Sequence, residues 1–200
     1  HTETPSERQI RRVAEVLRTN GIIIYPTDTA NALGWSINNT KADERISQIR
    51  QDKKQRTNFS LICKNLSQAS EFTKPVDKST FKLLKHNLPG PFTFLLPASN
   101  KIPRIYGGKK NVVGIRIPDN NIPLAIVEEL GYPLMTTSLH NNDDQLMEYM
   151  ADPQMIFEKY EKQVDIIIDG GLGNLDGSTV VDCSNHEPAI VREGIGELVL

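Results

Sequence analysis

Cysteine is nearly absent. Cys63 and Cys183 are the only two, they lie far apart, and neither belongs to a CxxC pair. That excludes a disulfide framework and a cysteine-built zinc site, and it fits a reducing compartment, so a cytoplasmic protein is expected. Aromatic residues make up only 6% of the chain, too few for the stacking platforms that read single-stranded bases. The longest apolar runs, such as Ile22-Ile23-Ile24-Tyr25, are about four residues long, so no membrane span is expected. The first residues carry no apolar leader core, and with His1 in place of Met a tag remnant or trimmed start is expected. No excess of one charge is present either. The net charge is -2, so any affinity for phosphates or nucleic acid has to come from a local patch.

Several motifs are also missing. There is no GxxxxGK[ST], so no P-loop, and no GxSxG, so no hydrolase elbow. Gly170-Gly171-Leu172-Gly173 follows a late strand without opening a long helix and does not match GxGxxG. The four histidines, His1, His86, His140 and His186, show no metal-ligand spacing, and no nucleophile or acid–base dyad stands out. The sequence therefore assigns neither catalytic side chains nor metal ligands.

What is present is a globular balance: 200 residues, 38% hydrophobic and 24% charged, which suits one domain spanning 1–200. Thr4 and Glu7 read as a capping box opening a first helix, with Pro5 at its first position, an apolar stripe of Ile10, Val13, Ala14 and Leu17, and Gly21 after its end. Ile22–Tyr25 reads as a buried strand between Gly21 and Pro26. Helix and strand then alternate. Helices are expected over Ala42–Arg50, from about Asp77 with Phe81 and Leu84, over Pro123–Leu130 and over Pro153–Tyr160. Strands are expected at Leu61–Cys63, Phe92–Leu96, Val112–Ile117, Leu134–Thr137, Ile166–Ile168, Thr179–Val181 and Ile190–Val191. Successive strands without an intervening helix require antiparallel neighbours. The predicted architecture is thus α/β, with a single twisted mixed sheet flanked by helices.

Polar residues gather at the ends of these strands. In Tyr25-Pro26-Thr27-Asp28-Thr29-Ala30-Asn31-Ala32-Leu33-Gly34, small polar side chains follow a buried strand. The segment is either a ligand-gathering strand end or a proline-initiated turn in which Asp28 and Thr29 cap locally. Arg50-Gln51-Asp52-Lys53-Lys54-Gln55-Arg56 concentrates positive charge in a loop that either holds phosphates or is a solvated run. Lys101, Arg104, Lys109 and Lys110 flank Gly107-Gly108 in a second basic loop, read as a lid or a polar hairpin. Arg116 stands in the apolar strand Val112–Ile117 and has to face solvent, a partner or a ligand, since unpaired burial is costly. Thr136-Thr137-Ser138, Ser178-Thr179 and Arg192 close three further strands.

In order along the chain, Tyr25-Pro26-Thr27-Asp28-Thr29, Pro89-Gly90-Pro91-Phe92-Thr93, Gly114-Ile115-Arg116-Ile117-Pro118, Thr136-Thr137-Ser138, Gly177-Ser178-Thr179-Val180-Val181-Asp182 and Val191-Arg192-Glu193-Gly194 resemble the YrdC/Sua5 superfamily, covering about residues 8 to 196. The resemblance implies a twisted mixed sheet with a concave basic face. It also implies L-threonylcarbamoyl-AMP synthesis from threonine, bicarbonate and ATP with Mg²⁺, feeding the t6A modification of tRNA. By the same resemblance, Thr29, Arg116 and Ser178 are expected to hold the substrate, with Arg116 on the threonine carboxylate. Arg50, Lys53, Arg56, Thr136, Ser138 and Arg192 are expected to hold the nucleotide. Where the family has KxR this chain reads Arg50-Gln51-Asp52, and where it has SxN this chain reads Ser138-Leu139-His140. Both departures are similar to the YciO-like branch. The alternative function is binding of double-stranded RNA or tRNA on the same face, without synthase activity.

Overall fold

The computed structural model describes residues 4–50, 59–103, 111–139, 150–185 and 187–200. Helix α1 (Glu7–Arg18) packs its Ile10, Val13, Ala14 and Leu17 stripe inward. It starts later than the capping-box reading placed it. Ser6 is the N-cap, its side chain makes no capping bond, and Pro5 lies ahead of the helix. β1 (Ile22–Tyr25) and β2 (Ala32–Ser36) follow, then α2 (Ala42–Arg50), β3 (Ser60–Ile62), α3 (Leu66–Phe72) and α4 (Lys78–Asn87). β4 (Phe92–Pro97), β5 (Val112–Arg116), α5 (Asn121–Leu130) and β6 (Leu134–Ser138) form the middle of the chain. α6 (Pro153–Tyr160), β7 (Ile166–Ile167), β8 (Thr179–Asp182) and β9 (Ala189–Arg192) complete it. No helix among the described residues is long and apolar enough to cross a membrane.

Side-chain caps set several of the helix boundaries. Asn65, Asp77, Asn120 and Asp152 each accept a backbone N–H of the first turn of α3, α4, α5 and α6, satisfying donors that the helix cannot. Gly131 ends α5 at φ 77, a left-handed conformation that a side chain would strain. Phe81 does not join the core: it is 48% exposed on α4, whose buried side carries Leu83 and Leu84 instead.

The strands form one nine-stranded mixed sheet in the order β7-β1-β2-β6-β3-β5-β4-β8-β9. The directly connected pairs β1–β2, β4–β5 and β8–β9 are antiparallel, whereas β1–β7, β3–β5 and β4–β8 are parallel. Alternation along each strand divides the sheet into two unlike faces. One face carries Ile22, Ile24, Leu33, Trp35, Leu61, Phe92, Phe94, Leu96, Val113, Ile115, Met135 and Val181, packed against α2, α3, α4 and α6. The opposite face is apolar only over β1, β2, β3 and β6, where Ile23, Tyr25, Ala32, Ile62 and Leu134 meet α1 and α5. Over β5, β4, β8 and β9 that face bears Gly114, Arg116, Thr93, Ser178 and Arg192, and no helix among the described residues packs on it.

Candidate functional site

The loop between β1 and β2 is shaped by its own hydroxyls. Thr27 Oγ1 accepts the Thr29 amide at 3.0 Å and donates to the Ala30 carbonyl at 3.0 Å. With that single proton spent, Thr27 accepts from Thr29 Oγ1, 3.0 Å away. Thr29 Oγ1 is thereby left with its lone pairs turned outward, and Arg116 Nη2 donates to it at 2.9 Å.

Arg116 leaves β5 beneath this loop. The same Nη2 reaches Asp28 Oδ1 at 3.2 Å, and both side chains of the pair are only 9% exposed. Asp28 Oδ2 accepts the Asp119 amide at 2.8 Å, and Asn174 Nδ2 donates to the Asp28 carbonyl at 3.2 Å. Asp28 thus ties its loop to the exit of β5 and to the loop before β8. Burial raises the Asp28 carboxyl above its ordinary value, against the opposing pull of the Arg116 charge and the Asp119 N–H. Arg116 Nε, beside that Nη2, is also buried and has no hydrogen-bond partner among the described residues. A buried donor left unmade costs roughly 1–3 kcal/mol, which a bound acceptor would recover.

A second cluster adjoins the first. Thr93 Oγ1 and Ser178 Oγ lie 2.7 Å apart across the parallel β4–β8 pair. Arg192 belongs to the exposed edge strand, yet its guanidinium folds back onto Ser178, with Nη2 at 2.9 Å from the carbonyl and 3.3 Å from Oγ. Its pKa is lowered from the usual guanidinium value, first by partial burial and then by the nearby Arg116 charge. Among the described residues Asp28 is the only carboxylate that forms an ion pair with either arginine. The two guanidiniums thus lie close together, with the Asp28 carboxylate between its loop and Arg116.

Thr29, Arg116, Ser178 and Arg192, four of the expected site residues, therefore converge on the part of one sheet face where no described helix packs, the first three of them buried. The others are placed differently. Thr136 is buried at 2% exposure, accepting from Tyr25 Oη at 2.6 Å and donating to the Leu33 carbonyl at 3.0 Å, so its hydroxyl is used inside the fold. Arg50 donates from Nη1 to Thr137 Oγ1 at 3.1 Å; its helix, α2, packs on the apolar face. It thus approaches the sheet from the side opposite Arg116. Ser138 pairs with Ala32 at the end of β6 and is half-buried. Lys53 and Arg56 lie outside the described residues, as do Arg104, Lys109 and Lys110. Lys101 pairs with Glu71 at 3.0 Å.

The structure adds two participants that strand-end patterns did not single out: Asp28 as the partner of Arg116, and Thr93 as the partner of Ser178. The Thr93 signal was available, since it alternates with Phe92 and Phe94 and so lies on the face opposite the core. Buried Tyr25, whose phenol is raised to about 12 chiefly by burial, flanks the cluster and senses the charges of Arg116 and Asp28. A groove of about 1210 Å³ between α1, β7 and the loop at 170–174 touches Thr27 and Asp28 from behind, but none of Thr29, Arg116, Ser178 and Arg192. Among the described residues no group of three or more His, Cys, Asp or Glu is placed to hold a metal ion.

The sequence and the fold both have counterparts among known proteins. The family profile Sua5_yciO_yrdC, described as "Telomere recombination", matches residues 15–194. An uncharacterized Escherichia coli K12 protein, YciO, is 40% identical over 199 residues, covering 99% of this chain and 95% of its own. The crystal structure of E. coli YciO superposes with a TM-score of 0.90 over 98% of this chain and 93% of that one. The structure of P. abyssi Sua5 complexed with L-threonine superposes with a TM-score of 0.84 at 25% identity, over 96% of this chain and 56% of that one. The Bacillus subtilis threonylcarbamoyl-AMP synthase is 28% identical over 194 residues, or 94% of this chain and 54% of its own.

Proposed function

Because the chain belongs to the Sua5/YciO/YrdC family, which includes threonylcarbamoyl-AMP synthases, we propose that its open sheet face binds L-threonine and ATP and performs synthesis of the threonylcarbamoyl-AMP type. The observation that carries this reading is the buried, unpartnered Nε of Arg116 beside Thr29, on a patch where Arg192 adds a second positive charge. A carboxylate seated against that guanidinium gains a charge-assisted bond from Nε, a donor that lysine lacks. Thr29 and Ser178 provide hydroxyls at the two ends of the patch. A relative that carries threonine in its solved structure shares this fold over 96% of the chain.

In this reading the threonine amine adds to CO₂ with loss of a proton, or to bicarbonate with loss of water, and gives a carbamate. A carbamate oxygen then attacks the α-phosphate of ATP, and pyrophosphate leaves. Mg²⁺ enters as the counter-ion of the nucleotide, as part of the substrate. The protein's part is to place the anions, neutralise them with Arg192, Arg116 and basic groups around them, and keep water out; electrostatic positioning of this kind supplies most of the rate in phosphoryl chemistry. That accounts for a site made of arginines and hydroxyls rather than of a nucleophile and a base.

Exchange of labelled pyrophosphate into ATP tests this reading. Exchange that requires both threonine and bicarbonate is the expected result. Exchange without threonine, or none at all under conditions where ATP binds, contradicts it; salt-sensitive binding of double-stranded RNA by such a protein would turn the assignment to the RNA-binding alternative.

A further inference from the structure

Asp28 sits where its charge matters to any anion that binds Arg116. Its carboxylate and the Arg116 guanidinium are paired at 3.2 Å, both sheltered from water, and the free Nε belongs to that same guanidinium. Each Asp28 oxygen accepts one bond, from Arg116 and from the Asp119 amide. A carboxylate has about four acceptor positions, so both oxygens keep capacity for a further donor.

From this we infer that Asp28 is the specificity-determining residue that restricts the site to α-amino acids, by receiving the ligand's ammonium on binding while Arg116 holds its carboxylate; the ammonium gives up a proton before the amine reacts. The inference rests on the reading of Arg116 as the carboxylate site and goes beyond it by assigning the amine. A plain carboxylate docked on Nε brings a second negative charge alongside Asp28 in a poorly hydrated setting, where like charges repel strongly. An ammonium on the carbon next to that carboxylate replaces the repulsion with a charge-assisted hydrogen bond. The geometry is pre-set, because the Asp119 amide and Asn174 fix Asp28 from two sides, and neither contact depends on Arg116. Burial also makes Asp28 easier to protonate than a free aspartate. Its role therefore fades on acidification at a higher pH than a free aspartate's would.

The test compares L-threonine with 2,3-dihydroxybutanoate, which has a hydroxyl in place of the amine, by calorimetric titration of the full chain in the presence of ATP. Wild type is expected to prefer threonine by at least about tenfold, the scale of one charge-assisted bond. Asp28→Asn is expected to bring the ratio to within about twofold, because it removes the repulsion as well as the ammonium's partner. A purely structural role for Asp28 would weaken both ligands alike and leave the ratio unchanged, and that result overturns the inference. The wild-type ratio needs no variant: equal binding of both ligands overturns the inference while leaving Arg116 as a carboxylate site. Binding of neither ligand to wild type overturns the functional reading itself, and the inference with it.

Discussion

The two faces of the sheet follow opposite rules over the same strands. In β4, Phe92, Phe94 and Leu96 point into the core under α2, α3, α4 and α6, while Thr93 between them turns to Ser178. In β5, Val113 and Ile115 pack inward, while Arg116 two positions after Gly114 reaches Asp28 and Thr29. The covered face gains its free energy from apolar burial, which is tolerant of chemistry but not of lost volume. The open face is held by hydrogen bonds and a sheltered ion pair, whose net contribution to stability is small but whose geometry is strict. Stability and binding are thereby separated onto alternate residues of one strand.

The most severe way to break that separation is to delete volume on the covered side. Phe94 is completely buried. Phe94→Ala should cost about 3–5 kcal/mol in urea unfolding, the range for deleting a buried aromatic. An effect under about 1 kcal/mol would mean that this face is not the main core.

Tyr25 sharpens the comparison, because it borders both the α1–α5 packing and the polar patch. With its pKa near 12 in the fold against the ordinary 10.0, the unfolded chain releases the phenolic proton first. Stability present below pH 10 is therefore lost as pH rises from that value toward 12, by about 2–3 kcal/mol for a shift of this size. Tyr25→Phe should abolish this loss. At neutral pH it should cost about 1 kcal/mol for the missing bond to Thr136. The two stability curves are expected to cross in the alkaline range, and parallel curves would contradict the assignment.

A much smaller stability effect than that of Phe94→Ala belongs to its neighbour Thr93. Thr93→Val keeps the shape and removes the bond to Ser178, which Arg192 still contacts. Unfolding should shift by no more than about 1.5 kcal/mol, while the ligand affinity of the neighbouring cluster falls. A loss comparable to that of Phe94→Ala would erase the distinction between the faces.

How much of this was legible in the sequence follows the same division. β1, α2, α4, β4, β5 and β6 could be read within a residue or two, because short β-branched runs, proline, glycine and capping residues act locally. β2 was not read: Ala32-Leu33-Gly34-Trp35-Ser36 mixes small residues with a glycine, and Gly34 is needed where a Cβ would come within 2.7 Å of the Tyr25 ring. α3 was missed because it is only seven residues long, although its Asn65 cap was present as a signal. In the site, Arg116 stood out as a charge within an apolar strand, whereas Thr29 was named for the substrate only through the family resemblance. Asp28 was weighed as part of a ligand-gathering segment or as a local cap, but not as the partner of Arg116, which is 88 residues away and which nothing nearby in the sequence encodes. Thr136 looked available as a terminal hydroxyl, but the register that sets it against Tyr25 and Gly34 arises from strand pairing across more than a hundred residues.

The central claim is that Arg116 serves a ligand rather than the fold, and calorimetric titration of L-threonine with ATP present, into wild type and Arg116→Lys, tests it most directly. Lysine keeps the charge and can still meet Asp28, but it lacks the Nε donor that is left without a partner among the described residues. The account predicts a loss of about 1.5–3 kcal/mol in binding, the scale of a hydrogen bond to a charged group, with thermal unfolding little changed. Unaltered affinity in Arg116→Lys, alongside a clear wild-type signal, would contradict it and return Arg116 to a structural role.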